Sequence, residues 1–380
     1  MKSFASRLNQ LVPSASMAMA QKISEGNFER EIIDLTFGQP DFDTPDHIKE
    51  AAWDAIRKGR NGYTSSSGIS ELRAAIGTFH HHLYHVSYDP GSEVLVTPGA
   101  KQGLMYLMQA LVNPGDEVIL FEPCWLSYQD MILLNNGTPV FIPAKENLEP
   151  DLSRLEEYIT SKTKAILINN PINPSGYVFK QQELQFICKL AEQHDLFIIA
   201  DEIYDRIVFT GFTSMSEFDS IRDRLIVANG FSKTYAMTGW RIGYLLANEQ
   251  ILSKVSLIHQ HTATCASAPS QYAAVAALQG SQNPVDQMVK TYKERRDIMV
   301  EGLSDGPFII IPPDGTFYAM LNMSSLGADA ENAAWTLLEK FGIAAVNGSS
   351  YGKSARNYVR LSLTQDSNLL TEAMHRLKNG

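Results

Sequence analysis

From Glu93 onward the chain alternates between two kinds of apolar pattern. Short, nearly continuous runs of aliphatic and β-branched residues have the length and composition of strands buried on both faces. They are EVLVT (93–97), EVILF (117–121), TPVFIP (138–143), KAILIN (164–169), LFIIADEIY (196–204), RLIVA (224–228) and IGYLLA (242–247). Amphipathic stretches separate most of them, as in PGAKQGLMYLMQALV, EPCWLSYQDMILLNN and the 181–194 segment, with a further helix predicted over 151–160. This beat predicts an α/β fold: a mostly parallel central sheet with helices on both faces, plus a smaller α/β domain. Loops at the C-terminal ends of such strands gather in one crevice, so Gly99, Trp125, Asn173, Asp201 and Lys233 are expected to converge.

The flanks follow other patterns. Residues 1–30 read as a polar arm and then a helix, and Thr44-Pro45 predicts a helix start with Thr44 as cap. A polar loop opens at Tyr63 and leads into a helix carrying histidines 80, 81, 82 and 85; a solvated face is favoured over a metal site. Beyond Asn248 the pattern is helical, ending in a long amphipathic helix over 285–303. FIIIPPDGTFYAMLNM, a helix over 330–341, GIAAV, YVRLSLT and a closing helix then mix without the regular beat, as in a second, smaller unit. The expected division is 1–45 as arm and part of the small domain, 46–285 as the large cofactor-binding domain, and 286–380 as the small domain.

Composition narrows the classes. The 380 residues carry a net charge of −10, against a general nucleic-acid binder, and three scattered cysteines give neither a disulfide framework nor paired metal-ligand spacing. No metal is expected. The first 21 residues lack an apolar core of signal-peptide length, no run is long enough for a membrane helix, and a cytoplasmic location is the expectation.

Chemistry concentrates in NGFSKTYAMTGWRIGY (229–244). An unhindered lysine among small residues at a strand exit suits capture of a carbonyl, and Arg241, eight positions after Lys233, suits a phosphate on the same ligand. Other segments stand in a telling order: FGQPDFDTP, GYTSSSGISELRAAI, TPGAKQGL, NPINPSG, ADEIYDRIVF, SKTYAMTGWRIGY, GTFYAML and YVRLSLT. Together they resemble the class I/II aminotransferases, pyridoxal-phosphate enzymes of fold type I in the aspartate aminotransferase superfamily. The resemblance runs from about Ser6 to the last helix.

It implies pyridoxal 5'-phosphate as cofactor, with Lys233 holding it as an internal aldimine and then shuttling a proton. It implies Asp201 as partner of the pyridine nitrogen, with Asn173 and Tyr204 bonded to the ring hydroxyl and Trp125 stacked on the ring. Gly99, Ala100 and Lys101 would seat the phosphate at a helix N-terminus, helped by Arg241. Tyr63 would reach the phosphate of a neighbouring subunit in a homodimer. Many relatives carry a serine three residues before the lysine; this chain has Gly230 there, with Ser232 as the replacement contact. Arg360, Gly38 and Asn173 would hold the α-carboxylate of the substrate. The implied reaction is ping-pong amino transfer between an L-amino acid and a 2-oxo acid, with small-molecule substrates and no membrane or nucleic-acid partner.

The side-chain preference stays open between dicarboxylic, aromatic and other neutral amino acids, with His259 and His261 as specificity candidates or surface residues. A carbon–sulfur β-lyase or decarboxylase of the same fold would use the same lysine and aspartate. A non-catalytic regulator would carry an added DNA-binding domain, which is not expected ahead of Gly38.

Overall fold

The computed structural model describes residues 3–11, 15–26, 28, 30–327 and 332–379. Helix α1 (Ala15–Glu25) and the short strand β1 (Ile33–Asp34) come first, followed by α2 (Asp46–Arg57) and α3 (Ser70–Tyr84). The alternating part comprises β2 (Val94–Thr97), α4 (Ala100–Leu111), β3 (Glu117–Phe121), α5 (Ser127–Leu134), β4 (Thr138–Ile142), β5 (Thr163–Asn169), α6 (Gln181–Gln193), β6 (Phe197–Asp201), β7 (Leu225–Gly230) and β8 (Gly243–Leu246). Next come α7 (Glu249–Thr262), α8 (Ala268–Gln279) and the long α9 (Asn283–Gly302). The remainder holds β9 (Ile309–Ile311), β10 (Tyr318–Asn322), α10 (Ala333–Phe341), β11 (Ile343–Ala344), β12 (Val346–Asn347), β13 (Tyr358–Ser362) and α11 (Ser367–Asn379).

Seven strands form the central sheet in the order β2-β8-β7-β6-β5-β3-β4. Only β8 runs against its neighbours. Strand side chains alternate between faces, and the cores follow that alternation. Ile198, Ala200 and Val227 enter one buried cluster while Ile199, Ile226 and Ala228 enter the cluster on the opposite face. Both faces are therefore covered, which is why the strands read as unbroken apolar runs, each buried isoleucine contributing about 1.5–3 kcal/mol. A second, antiparallel sheet has the order β12-β13-β10-β9. Strand β1 pairs in parallel with β11, so the chain near Ile33 packs with the C-terminal elements. Helix α9 spans the two cores, placing Val285 in the first and Met288, Tyr292 and Met299 in the other.

Three local expectations are corrected. The 151–160 segment is a 3-10 helix over Leu152–Tyr158, capped by Asp151, whose side chain accepts from the Ser153 amide at 3.1 Å. Only Leu155 of it is buried, too little apolar surface to hold a longer amphipathic helix. Thr44 does not cap α2; its hydroxyl donates to the Ala236 carbonyl at 2.8 Å and accepts from Trp240 Nε1 at 3.1 Å, tying the helix start to the loop after Lys233. His80 is not on a solvated face but buried, with Nε2 2.9 Å from Ser216 Oγ. The helix expected over 330–341 is observed as Ala333–Phe341, and positions 330 and 331 lie outside the described residues.

Candidate active site

A cavity of about 600 Å³ opens where β5, β6 and β7 end, bounded by the start of α4 and by Arg360 of β13. Ten further expected residues line it: Gly38, Ala100, Lys101, Trp125, Asn173, Asp201, Tyr204, Ser232, Lys233 and Arg241. Gly99 stands just behind its wall, at the N-terminus of α4. Tyr63 is not part of it and is 90% exposed.

At the sheet end sits Asp201, the last residue of β6. Burial pushes its carboxyl up to about 6, against the opposing effect of hydrogen bonds from Tyr128 and the Ile203 amide and of the nearby Lys233 charge. Tyr128 donates to Asp201 Oδ2 at 2.6 Å, and the Ile203 amide donates to Oδ1 at 3.2 Å. Lys233 is pulled down to about 8 by burial first and by the cations Arg360 and Arg241 after it. Its Nζ donates to the Gly38 carbonyl at 2.5 Å and lies 5.9 Å from the Tyr204 ring centre and 5.6 Å from that of Phe317. A lysine so placed is an amine that loses its proton near neutral pH, as a carbonyl-capturing group requires.

An anion seat is built where α4 meets β8. Gly99 has φ +87°, and a Cβ there would lie 2.6 Å from Arg241 Nη2, so the guanidinium rests directly on its backbone. Arg241, itself left-handed at φ 51°, is anchored through Nη1 to the Thr238 carbonyl at 3.0 Å. Gly230 and Gly243 face each other across β7 and β8. A Cβ on Gly243 would meet the Ala100 amide nitrogen at 2.4 Å, and one on Gly230 would meet Gly243 Cα at 2.9 Å. A side chain at 230 would press on the backbone of β8 itself, while Gly243 opposite it carries the docked start of α4. Ser232 lines the cavity two residues on. The N-terminal amides of α4, its dipole and Arg241 all favour an anion at this spot.

The far end belongs to Arg360, buried and facing the cavity. Its Nη2 donates to the Thr36 carbonyl at 2.9 Å and its Nη1 to Asn173 Oδ1 at 3.3 Å. The guanidinium carbon lies 4.1 Å from the Tyr318 ring centre and 5.3 Å from that of Tyr351. Buried Nε has no partner, and a buried guanidinium short of acceptors suits a carboxylate.

Sequence reasoning missed four residues here. Tyr128 holds Asp201, Asn169 Oδ1 fixes the Asn173 amide at 2.7 Å, Thr36 orients Arg360, and Tyr318 stacks on it. Tyr128 lies three residues after Trp125, across the turn that starts α5, and that spacing is the one available signal; the other three carry none. The two histidines raised as specificity candidates are elsewhere. His259 is fully buried with Nδ1 3.3 Å from the Tyr106 hydroxyl, so it is no surface residue, and His261 is exposed; neither lines the cavity.

A phosphorylated pyridine aldehyde needs what this donor set offers: an amine of depressed basicity, a buried carboxylate and an anion seat, in one cavity with an aromatic wall. That places the protein among the pyridoxal-phosphate enzymes of fold type I. Within them it belongs to the class I and II aminotransferases, whose family pattern matches residues 30–377. Aspartate aminotransferase of Thermotoga maritima is 38% identical over 98% of this chain and 98% of its own. Asparagine–oxo-acid transaminase of Streptococcus mutans is 39% identical over 92% and 91%. The solved structure of Thermus thermophilus aspartate aminotransferase with maleate superposes with a TM-score of 0.93 at 34% identity, covering 99% of both chains. The chain is a pyridoxal-phosphate-dependent transaminase.

Proposed function

We propose that the amino donor and acceptor are dicarboxylic, of the aspartate and 2-oxoglutarate type. The carrying observation is a surplus cation. Among the described residues lining the cavity, Lys101, Lys233, Arg241 and Arg360 are basic. Lys233 faces the cofactor carbonyl, Arg241 its phosphate and Arg360 the substrate α-carboxylate. With its backbone in the phosphate seat, Lys101 has its side chain left over, its Nζ 5.0 Å from the Trp125 ring centre and its basicity lowered by burial and by Arg241 against the opposing charge of Asp130. A second substrate carboxylate gives it a partner. The relatives named aspartate aminotransferase, and the maleate in one of them, support this reading.

Bound pyridoxal phosphate supplies the carbonyl that takes up the amino group and a ring that draws electrons from the substrate Cα. Lys233 Nζ would accept the Cα proton and deliver it to the former carbonyl carbon of the cofactor. Asp201 would pair, as a carboxylate, with the ring nitrogen, and Tyr204 and Asn173 would hold the ring hydroxyl. Arg360 and the backbone near Gly38 clamp the α-carboxylate and exclude water.

Residues 46–285 act as the large domain and 286–380, with 1–45, as the small one; the passage of α9 between two cores supports this division. A homodimer is supported by Tyr63, exposed and outside its own cavity, from where it serves a partner's phosphate seat. The location we infer is cytoplasmic; among the described residues no helix is long and apolar enough to cross a membrane. The test is a donor panel against 2-oxoglutarate. Aspartate or glutamate should exceed phenylalanine and alanine in kcat/KM by about fivefold, the size of one carboxylate–ammonium contact at an exposed lysine. Equal rates would overturn the dicarboxylate assignment, and pyruvate with ammonia in the absence of any acceptor would mark a lyase.

A further inference from the structure

We infer that Tyr128 is a positioning residue of the reaction: through its hydrogen bond it holds Asp201 in the ionised, oriented form that faces the cofactor ring. The inference rests on the assignment of Asp201 as partner of the ring nitrogen.

Three observations carry it. Tyr128 donates to Asp201 Oδ2 at 2.6 Å, a short bond between two fully sheltered groups. Asp201 Oδ1 already accepts the Ile203 amide, so each carboxylate oxygen has one protein donor and the remaining acceptor capacity faces the cavity that Asp201 lines. The Tyr128 ring also stands edge-on to Trp125, at 5.2 Å and 88°, so one side chain sets both the carboxylate and the aromatic wall. A phenol is a donor that itself stays neutral here: burial and the Asp201 charge push Tyr128 far above its ordinary value. It therefore favours the carboxylate over the carboxylic acid without adding a counter-charge. The other titratable groups facing Asp201 are Lys233 beyond β7 and Tyr204 on the turn after β6, with Cys124 beside the phenol itself. Among the hydrogen bonds and charges that hold Asp201 ionised, that of Tyr128 is the largest.

Carboxylate protonation would remove the partner of a protonated ring nitrogen, so loss of the phenol should be felt on the acid side. Measured on the holoenzyme, Tyr128→Phe is expected to shift the acidic limb of the kcat/KM profile upward by about one to two pH units. It should also weaken pyridoxal phosphate binding, read by absorbance or fluorescence titration, by about tenfold. The amino acid KM at alkaline pH should change little. In an Asp201→Asn background the same Phe substitution should add no further loss of cofactor affinity, whereas a purely structural role would carry the same loss into both backgrounds. A Tyr128→Phe enzyme with the wild-type acidic limb and cofactor affinity overturns the inference. An Asp201→Asn enzyme with wild-type affinity and turnover would instead overturn the Asp201 assignment beneath it.

Discussion

Two arginines in one cavity are held in opposite ways. Arg360 is buried beside the rings of Tyr318 and Tyr351 and bonded to Thr36 and Asn173, which come from distant parts of the chain. Arg241 is exposed and held by its own loop, through Thr238, against the backbone of Gly99. A fixed, desolvated guanidinium discriminates, because its planar fork must be met by a matching carboxylate in a medium that screens little. An exposed one beside a helix N-terminus attracts, and the backbone amides share its work. The difference fits the proposed division, with recognition of the α-carboxylate at the Arg360 end and anchoring of the phosphate at the Arg241 end.

That contrast can be broken or sharpened by experiment, beginning between the two sites. Lys233→Ala should lower turnover by about 10³-fold or more, since it removes the group proposed to move the proton; stopped-flow half-reactions would read it, and retained activity would end the assignment. Wild-type Lys233 titrates near 8, so below that pH it is protonated and unable to attack a carbonyl. Cofactor loading should accelerate as pH rises toward about 8 and level off above it. Arg360→Ala should cost about 10²-fold or more in kcat/KM for every α-amino acid alike, the price of truncating one partner of a buried ion pair; a loss confined to one side-chain class would contradict its role. Arg241→Ala should weaken pyridoxal phosphate binding by about tenfold, and the remaining gap should narrow at high salt because the site is open to ions. The same salt series should leave the Arg360 effect intact. Lys101→Ala is expected to be smallest, about fivefold in kcat/KM for aspartate and none for phenylalanine.

The two ends also differ in how legible they are in the sequence. Gly99, Asp201, Lys233 and Arg241 each follow or border a strand whose apolar run is unmistakable, so a rule about strand ends brings them together. Trp125 and Asn173 follow from the same rule, and segment order then added Arg360 through family resemblance. Hydrophobic patterning also gave the seven strands of the central sheet, but not their order, in which β8 runs antiparallel between β2 and β7. Local chemistry misled at Thr44, where a good capping residue found a better partner across the fold, and at His80, which packs inward while histidines 81, 82 and 85 are exposed.

The sequence by itself determined the periodicities, and through them the α/β class, along with the residue types that a phosphorylated pyridine cofactor requires. Only the tertiary structure decided what surrounds them. The pairing of Gly230 with Gly243, the phenol of Tyr128 on Asp201 and the tyrosine rings beside Arg360 all join positions whose relation depends on strand order and helix docking. The physical reason is that strand and helix periods are local, set within a few residues by backbone geometry. Burial, and with it every shifted pKa in the site, is a property of packing between distant segments, such as Thr36 and Arg360, 324 positions apart.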